Sequence, residues 1–193
     1  MTDRKTDHPI LPLFRDRWSP RAFDPRPIDD AVLLSLFEAA RWAPSSMNLQ
    51  PWRFLYAKRG DACWEPFLSA LMEANRLWAS NASALVYVVS DTEMMMKGER
   101  RPSHSHSFDA GAAWMALALQ ASSMGLITHG MAGVDFDSAR AIIGVPENYR
   151  IEAAIAVGYQ GDKADLPEAL QAREVPSDRR PVSESIFNGP MGA

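Results

Sequence analysis

The chain has 193 residues, 47% of them hydrophobic, and a formal net charge of -4. That is material for one domain with a sizeable core, and its acidic balance offers no general field to a phosphate backbone, so nucleic acid is not an expected partner. Three further features bound the reading. No apolar run nears the roughly 18 residues that cross a bilayer, the start Met1-Thr2-Asp3-Arg4-Lys5 lacks a secretory leader's apolar stretch, and Cys63 is the only cysteine. The expectation is a cytoplasmic chain without membrane partners, internal disulfides or a thiolate metal cluster.

In chain order, residues 9 to 16 mix proline with apolar residues and lead into Arg17-Trp18-Ser19-Pro20-Arg21-Ala22-Phe23. If this stretch is extended, Arg17, Ser19 and Arg21 fall on one side, two guanidinium forks and a hydroxyl suited to an anion. Asp29 or Asp30 caps a helix whose Leu33, Leu36, Phe37 and Ala40 keep helical spacing, and that helix delivers Arg41 to the next segment. Pro44 stops it, and Ser45, Ser46, Asn48 and Gln50 crowd donors and acceptors into one turn, a ligand cradle between helix and strand. An extended run follows over 52–57, then a second helix from about Glu65 to Trp78 with Asn75 and Arg76 near its end. Ala84-Leu85-Val86-Tyr87-Val88-Val89 reads as a buried central strand.

From Asp91 to Ser107 the pattern breaks, and the expectation is a long irregular loop. His104 and His106 are spaced to share one side of an extended segment, yet no third ligand accompanies them, so no metal site is expected. Residues 108–124 are apolar nearly all round, the pattern of a helix buried centrally or in a subunit interface, ended by Gly125. Leu126-Ile127-Thr128-His129-Gly130-Met131-Ala132-Gly133 carries two glycines that let backbone N–H groups approach a flat ligand. Asp137 caps a short helix through Ile143, and 151–158 is the last strand. The chain reads as a single domain over 1–193. Residues 160–193 form a charged, proline-rich arm whose Arg179-Arg180 pair and Ile186-Phe187 anchor suit wrapping over a partner subunit.

On four of these segments, 17–23, 43–52, 125–133 and 179–181, the sequence resembles the FMN-dependent nitroreductase family, and the likeness runs over almost the whole length. The resemblance implies an α+β fold with a mainly antiparallel central sheet flanked by helices, assembled as an intertwined homodimer with FMN at the interface. It implies that Arg17, Ser19 and Arg179 hold the FMN phosphate and ribityl end, with Trp18 in the same motif. Arg21 would face the pyrimidine edge, where a cation stabilises the charge that reduction adds, and Asn75 would read that edge. Pro44, Ser45, Ser46 and Asn48 of the second subunit would line one side of the ring, and Met131, Ala132 and Gly133 would lie near N5. Ala132 stands where some members carry glutamate and Trp78 where some carry lysine, departures that bear on substrate and nicotinamide preference. The implied activity is ping-pong hydride transfer from NADH or NADPH to a nitroaromatic, quinone or related acceptor, with no catalytic side chain named because the hydride moves on the flavin. The alternatives are a quinone, enoate or semialdehyde reductase of the same fold, an FMN-binding protein without turnover, and a metal-dependent hydrolase built on His104 and His106.

Overall fold

A computed structural model of the chain describes residues 4–191; the first three residues of the opening segment and the last two of the arm lie outside the described residues. Its elements are α1 (Pro12–Asp16), β1 (Phe23–Asp24), α2 (Asp30–Arg41), β2 (Trp52–Lys58), α3 (Trp64–Ser69), α4 (Glu73–Ala79), β3 (Ala84–Asp91), β4 (Glu93–Met96), β5 (Glu99–Pro102), α5 (His106–Ser123), β6 (Ile127–Met131), α6 (Phe136–Ile143), β7 (Tyr149–Gln160) and α7 (Glu168–Gln171). The 12-residue β7 is the spine of an antiparallel sheet. β3 pairs along one of its edges, from Ala84 opposite Val157 to Asp91 opposite Tyr149, and β2 pairs outside β3. The other edge is shared by β6, opposite residues 154–158, and then by β1, opposite Tyr159 and Gln160.

The continuous apolar run of β3 is explained by helices on both faces of the sheet. Ala84, Val86 and Val88 pack with Leu33 and Leu36 of α2 and Ala113 and Leu117 of α5, while Leu85, Tyr87 and Val89 pack with Phe67 of α3, Trp78 of α4 and Ile143 of α6. Buried leucines of this kind hold the layers together: Leu36 is fully buried, and truncation to alanine costs about 2–5 kcal/mol at such a site. The fold is thus α+β, with the antiparallel sheet between two helical layers.

Five local expectations are corrected. The helix expected over 65–78 is two helices, α3 and α4, broken at Leu71, which bridges to Val134, and at Met72, whose N–H donates to the Gly133 carbonyl. Tertiary pairing overrides helical spacing there. The loop expected over 91–107 contains the β4–β5 hairpin, closed by Lys97 and Gly98 at φ 53° and 83°, a left-handed pair matched to a two-residue turn. His106 does not share an extended segment with His104: it opens α5, with Nδ1 2.7 Å from the Ser90 hydroxyl. The cap of α6 is Asp135, accepting the Ser138 N–H, not Asp137. Arg41 also turns away from the cradle, forking onto Glu38 of its own helix.

Candidate functional site

Arg17 follows the last residue of α1 in extended conformation, and the next residues run straight towards β1, so that Arg17, Trp18, Ser19 and Arg21 line one cavity of about 360 Å³. Arg179 of the arm lines the same cavity, which brings two ends of the sequence together on the phosphate-type donors. Arg17 Nη1 reaches the Ser19 hydroxyl at 3.4 Å. Arg4 joins from the N-terminal segment, its Nη2 donating to the carbonyls of Asp16 and Arg17 at 3.1 and 3.2 Å. Burial, and then the charges of Arg179 and Arg4, hold the Arg17 guanidinium below its ordinary pKa. The Nε atoms of both Arg4 and Arg17 are buried without a hydrogen-bond partner among the described residues. Three like charges thus stand together, two of them with an orphaned Nε and one, Arg4, offset in part by Asp16 and Asp178, and a phosphate dianion would supply further charge and acceptors. Arg4 was not legible as part of this group, because it stands 13 residues before Arg17 in no motif.

The Arg21 side of the cavity contains two residues that the sequence reading did not single out. Glu174 of the arm is buried, with its Oε1 accepting the N–H groups of Arg21 and Ala22 at 2.6 and 2.9 Å and its Oε2 3.8 Å from Arg21 Nη1. The Arg21 charge is therefore offset in part by a neighbouring carboxylate. His129 on β6 lines the cavity as well; its Nδ1 donates to the Pro20 carbonyl at 2.9 Å and its ring lies 4.6 Å from that of Trp78. Burial pushes the His129 pKa down, and the Arg21 charge adds to this, against the raising effects of the Pro20 bond and Glu174. The ring is neutral at pH 7, with the proton on Nδ1 assigned from its acceptor.

From His129 the backbone continues to Gly133, four residues or at most about 13 Å further on at extended spacing. There Asn75 of α4 donates from Nδ2 to the Gly133 carbonyl at 3.0 Å. A Cβ on Gly133 would stand 2.4 Å from that nitrogen, so only glycine permits the contact. Met131 is buried in the core, whereas Ala132 is exposed. Trp78 is a core residue, stacked on Phe23 with a ring separation of 6.1 Å.

The cradle residues gather elsewhere. After Pro44, Ser46–Asn48 form a single 3-10 turn in which Met47 and Asn48 have φ of 50° and 56°, followed by Gln50 at 49°. Three non-glycine residues in the left-handed region store strain of order 1 kcal/mol or more each, a cost that loops with a binding purpose commonly carry. The turn is pinned by Ser45 Oγ, which accepts the Gln50 N–H at 3.0 Å, and by buried Asp109, which accepts the Ser46 N–H at 3.1 Å and the Ser105 hydroxyl at 3.0 Å. Asp109 is near the start of α5, whereas Arg17 and Trp18 border a cleft against Ala118 and Ser122 near its end. Nine to thirteen helical residues separate those points, about 14–20 Å along the axis. The structure thus brings Arg17, Trp18, Ser19, Arg21 and Arg179 together, and Asn75 with Gly133, but leaves Pro44, Ser45, Ser46 and Asn48 at the other end of α5.

Such a sheet between helical layers, with an arginine-lined cavity at one sheet edge, has relatives among known proteins. The model of the nitroreductase family matches residues 14–159, and the chain belongs to that family. A crystal structure described as an oxidoreductase containing FMN is 46% identical to it, covers 98% of both chains and superposes with a TM-score of 0.95. A Desulfovibrio desulfuricans protein solved in complex with FMN is 25% identical over 96% of this chain and 99% of its own, with a TM-score of 0.73. A Thermus thermophilus NADH dehydrogenase is 27% identical over 89% of this chain and 91% of its own length.

Proposed function

We propose that the chain is an FMN-dependent NAD(P)H oxidoreductase that reduces nitroaromatics, quinones or related acceptors by ping-pong hydride transfer. The observation that carries this reading is the pair Arg4 and Arg17, desolvated, mutually repelling and each with a buried Nε short of an acceptor, with the exposed Arg179 close by, beside a cavity of about 360 Å³. When bound, FMN would supply the hydride-transfer chemistry between NADH or NADPH and the acceptor. The chain's own residues bind and orient. Arg17, Ser19 and Arg179 hold the phosphate end, Arg21 sets the charge near the pyrimidine edge, Trp18 borders the cavity, and Asn75 with Met131, Ala132 and Gly133 holds the ring end along the β6 edge. No side chain is needed as nucleophile.

The same reading makes the protein a homodimer in the cytoplasm. Pro44, Ser45, Ser46 and Asn48 lie at the far end of α5 from their own arginines, and in this reading the cradle serves the partner's site. The α5 surface that does not face the sheet carries Phe108, which is 82% exposed, and Met115, an apolar strip in need of cover. The arm packs on its own chain as far as Val182, whose N–H donates to Asp7, and beyond it Ile186, Phe187 and Met191 stand exposed as anchors for the partner. An absorbance spectrum of the purified protein, followed by anaerobic titration with NADH and with NADPH, tests the function. Flavin bands that bleach on titration are expected. A colourless protein that takes up no FMN overturns the reading, and a flavin that neither nucleotide bleaches reduces it to a binding protein.

A further inference from the structure

One side of the cofactor cavity is made by the arm: Arg173, Val175, Ser177 and Arg179, every second residue, line it. The residue between the first two, Glu174, points the other way and is buried, its side chain 2% exposed. Its Oε1 takes the N–H groups of Arg21 and Ala22, the two residues just before β1. One carboxylate thus occupies the place that a neighbouring strand would fill, across 153 residues of sequence. From Val175 to Pro181 no hydrogen bond joins the arm to the rest of the chain among the described residues, until the Val182 N–H reaches Asp7. The wall of the cavity is held at its two ends, and Glu174 is the inner hold.

We infer that Glu174 is a positioning residue that latches the arm over the cofactor pocket, through its bonds to the Arg21 and Ala22 N–H groups. The inference rests on the reading of this cavity as the FMN site. It assigns to Glu174 no contact with the cofactor: its effect passes through the wall it holds, keeping Arg179 opposite Arg17 and Arg21 in place on the facing side. Two buried N–H groups left without an acceptor would each seek water, and water reaches them only if the arm lifts. Release of the latch therefore opens the pocket.

The test compares Glu174→Ala with Glu174→Gln in the full chain, using FMN as the probe and trypsin as an independent one. The amide oxygen of Gln can still accept both N–H groups, so E174Q keeps the latch while losing the charge. Expected for E174A is FMN release about 10-fold faster or more, the effect of losing buried charge-assisted bonds, with faster cleavage after Arg173 and Arg179 in the cofactor-free protein. E174Q is expected to stay within about 3-fold of the parent in both readouts. Unchanged release and cleavage in E174A overturn the latch, and so does an E174Q as loose as E174A, since the backbone bonds would then not be what holds the arm. If E174A does not fold, Glu174→Asp, which withdraws the carboxylate by one methylene, is measured in its place against the same expectations. A parent protein that binds no FMN refutes the functional reading instead, and the cleavage comparison still decides the latch.

Discussion

Arg4 and Arg17 each bury an Nε without an acceptor, and the arrangement makes opposite demands on the empty and the loaded protein. Removing one guanidinium relieves repulsion when the pocket holds no anion and removes a charge-assisted contact when it does. Arg17→Ala or Arg179→Ala should therefore weaken FMN binding about 10- to 100-fold, for a contact of about 1.5–3 kcal/mol, without lowering the melting temperature of the cofactor-free protein. Fluorescence titration and calorimetry check the two halves; a fall in the cofactor-free melting temperature with unchanged affinity would make these arginines structural. His129 gives a second prediction. Its folded pKa lies below the ordinary 6.5, so as pH falls below 6.5 the unfolded chain takes up the proton first and stability declines. His129→Gln, which can still donate to the Pro20 carbonyl, should flatten that decline in denaturant titrations at pH 5 to 7. The alternation of Arg17, Ser19 and Arg21 was legible because a single extended run carries it. Arg4, His129 and Glu174 were not, since each joins the site through tertiary contacts alone.

Elements that carry a periodicity of their own were read correctly, and those without one were not. α2, β3 and the last strand carry their own periodicity, whereas α3 and α4 share one helical spacing that only the Leu71–Val134 bridge interrupts. The β4–β5 hairpin was hidden because its strands are only four residues long, one mostly methionine and the other mostly charged, although Lys97-Gly98 was a turn signal in plain view. On β7, Glu152 is the extra residue of a bulge between the pairings of Val88 and Val89, and it meets the hydroxyls of Ser90 and Ser107. No alternation rule foretells such a residue. The shortest element yields a prediction as well: β1 is two residues held on β7, and a Cβ on Gly161 would stand 2.7 Å from the Phe23 carbonyl carbon. Backbone cannot turn aside as a rotamer does. Gly161→Ala should cost about 1–3 kcal/mol and lower the melting temperature by about 3–10 °C. An unchanged melting curve would show that β1 shifts without penalty, and with it the arginine segment it anchors.

At the scale of the whole molecule, the sheet between helices and the division of the site between subunits were legible only through the family resemblance, and the sheet order was not, because nothing in a linear sequence says which strand pairs with which or which cradle serves which pocket. In the proposed dimer that division would follow α5, which puts the arginines and the cradle about 14–20 Å apart. Its consequence is genetic in character: two defective chains should repair each other. In a hybrid of a chain carrying Arg17→Ala and a chain carrying Asn48→Val, which forces a β-branched residue into a left-handed position, one site inherits both lesions and the other inherits neither. Random reassortment makes half the dimers hybrid, each with one intact site of two, so at an FMN concentration too low to fill either variant's own sites the mixture should recover about a quarter of the parent's turnover. A mixture that stays inactive while mass spectrometry shows hybrid dimers would place the whole site within one chain. If the repair occurs, diluting the protein until its dimers part should abolish turnover in the parent as well, since neither half of the site is an enzyme by itself.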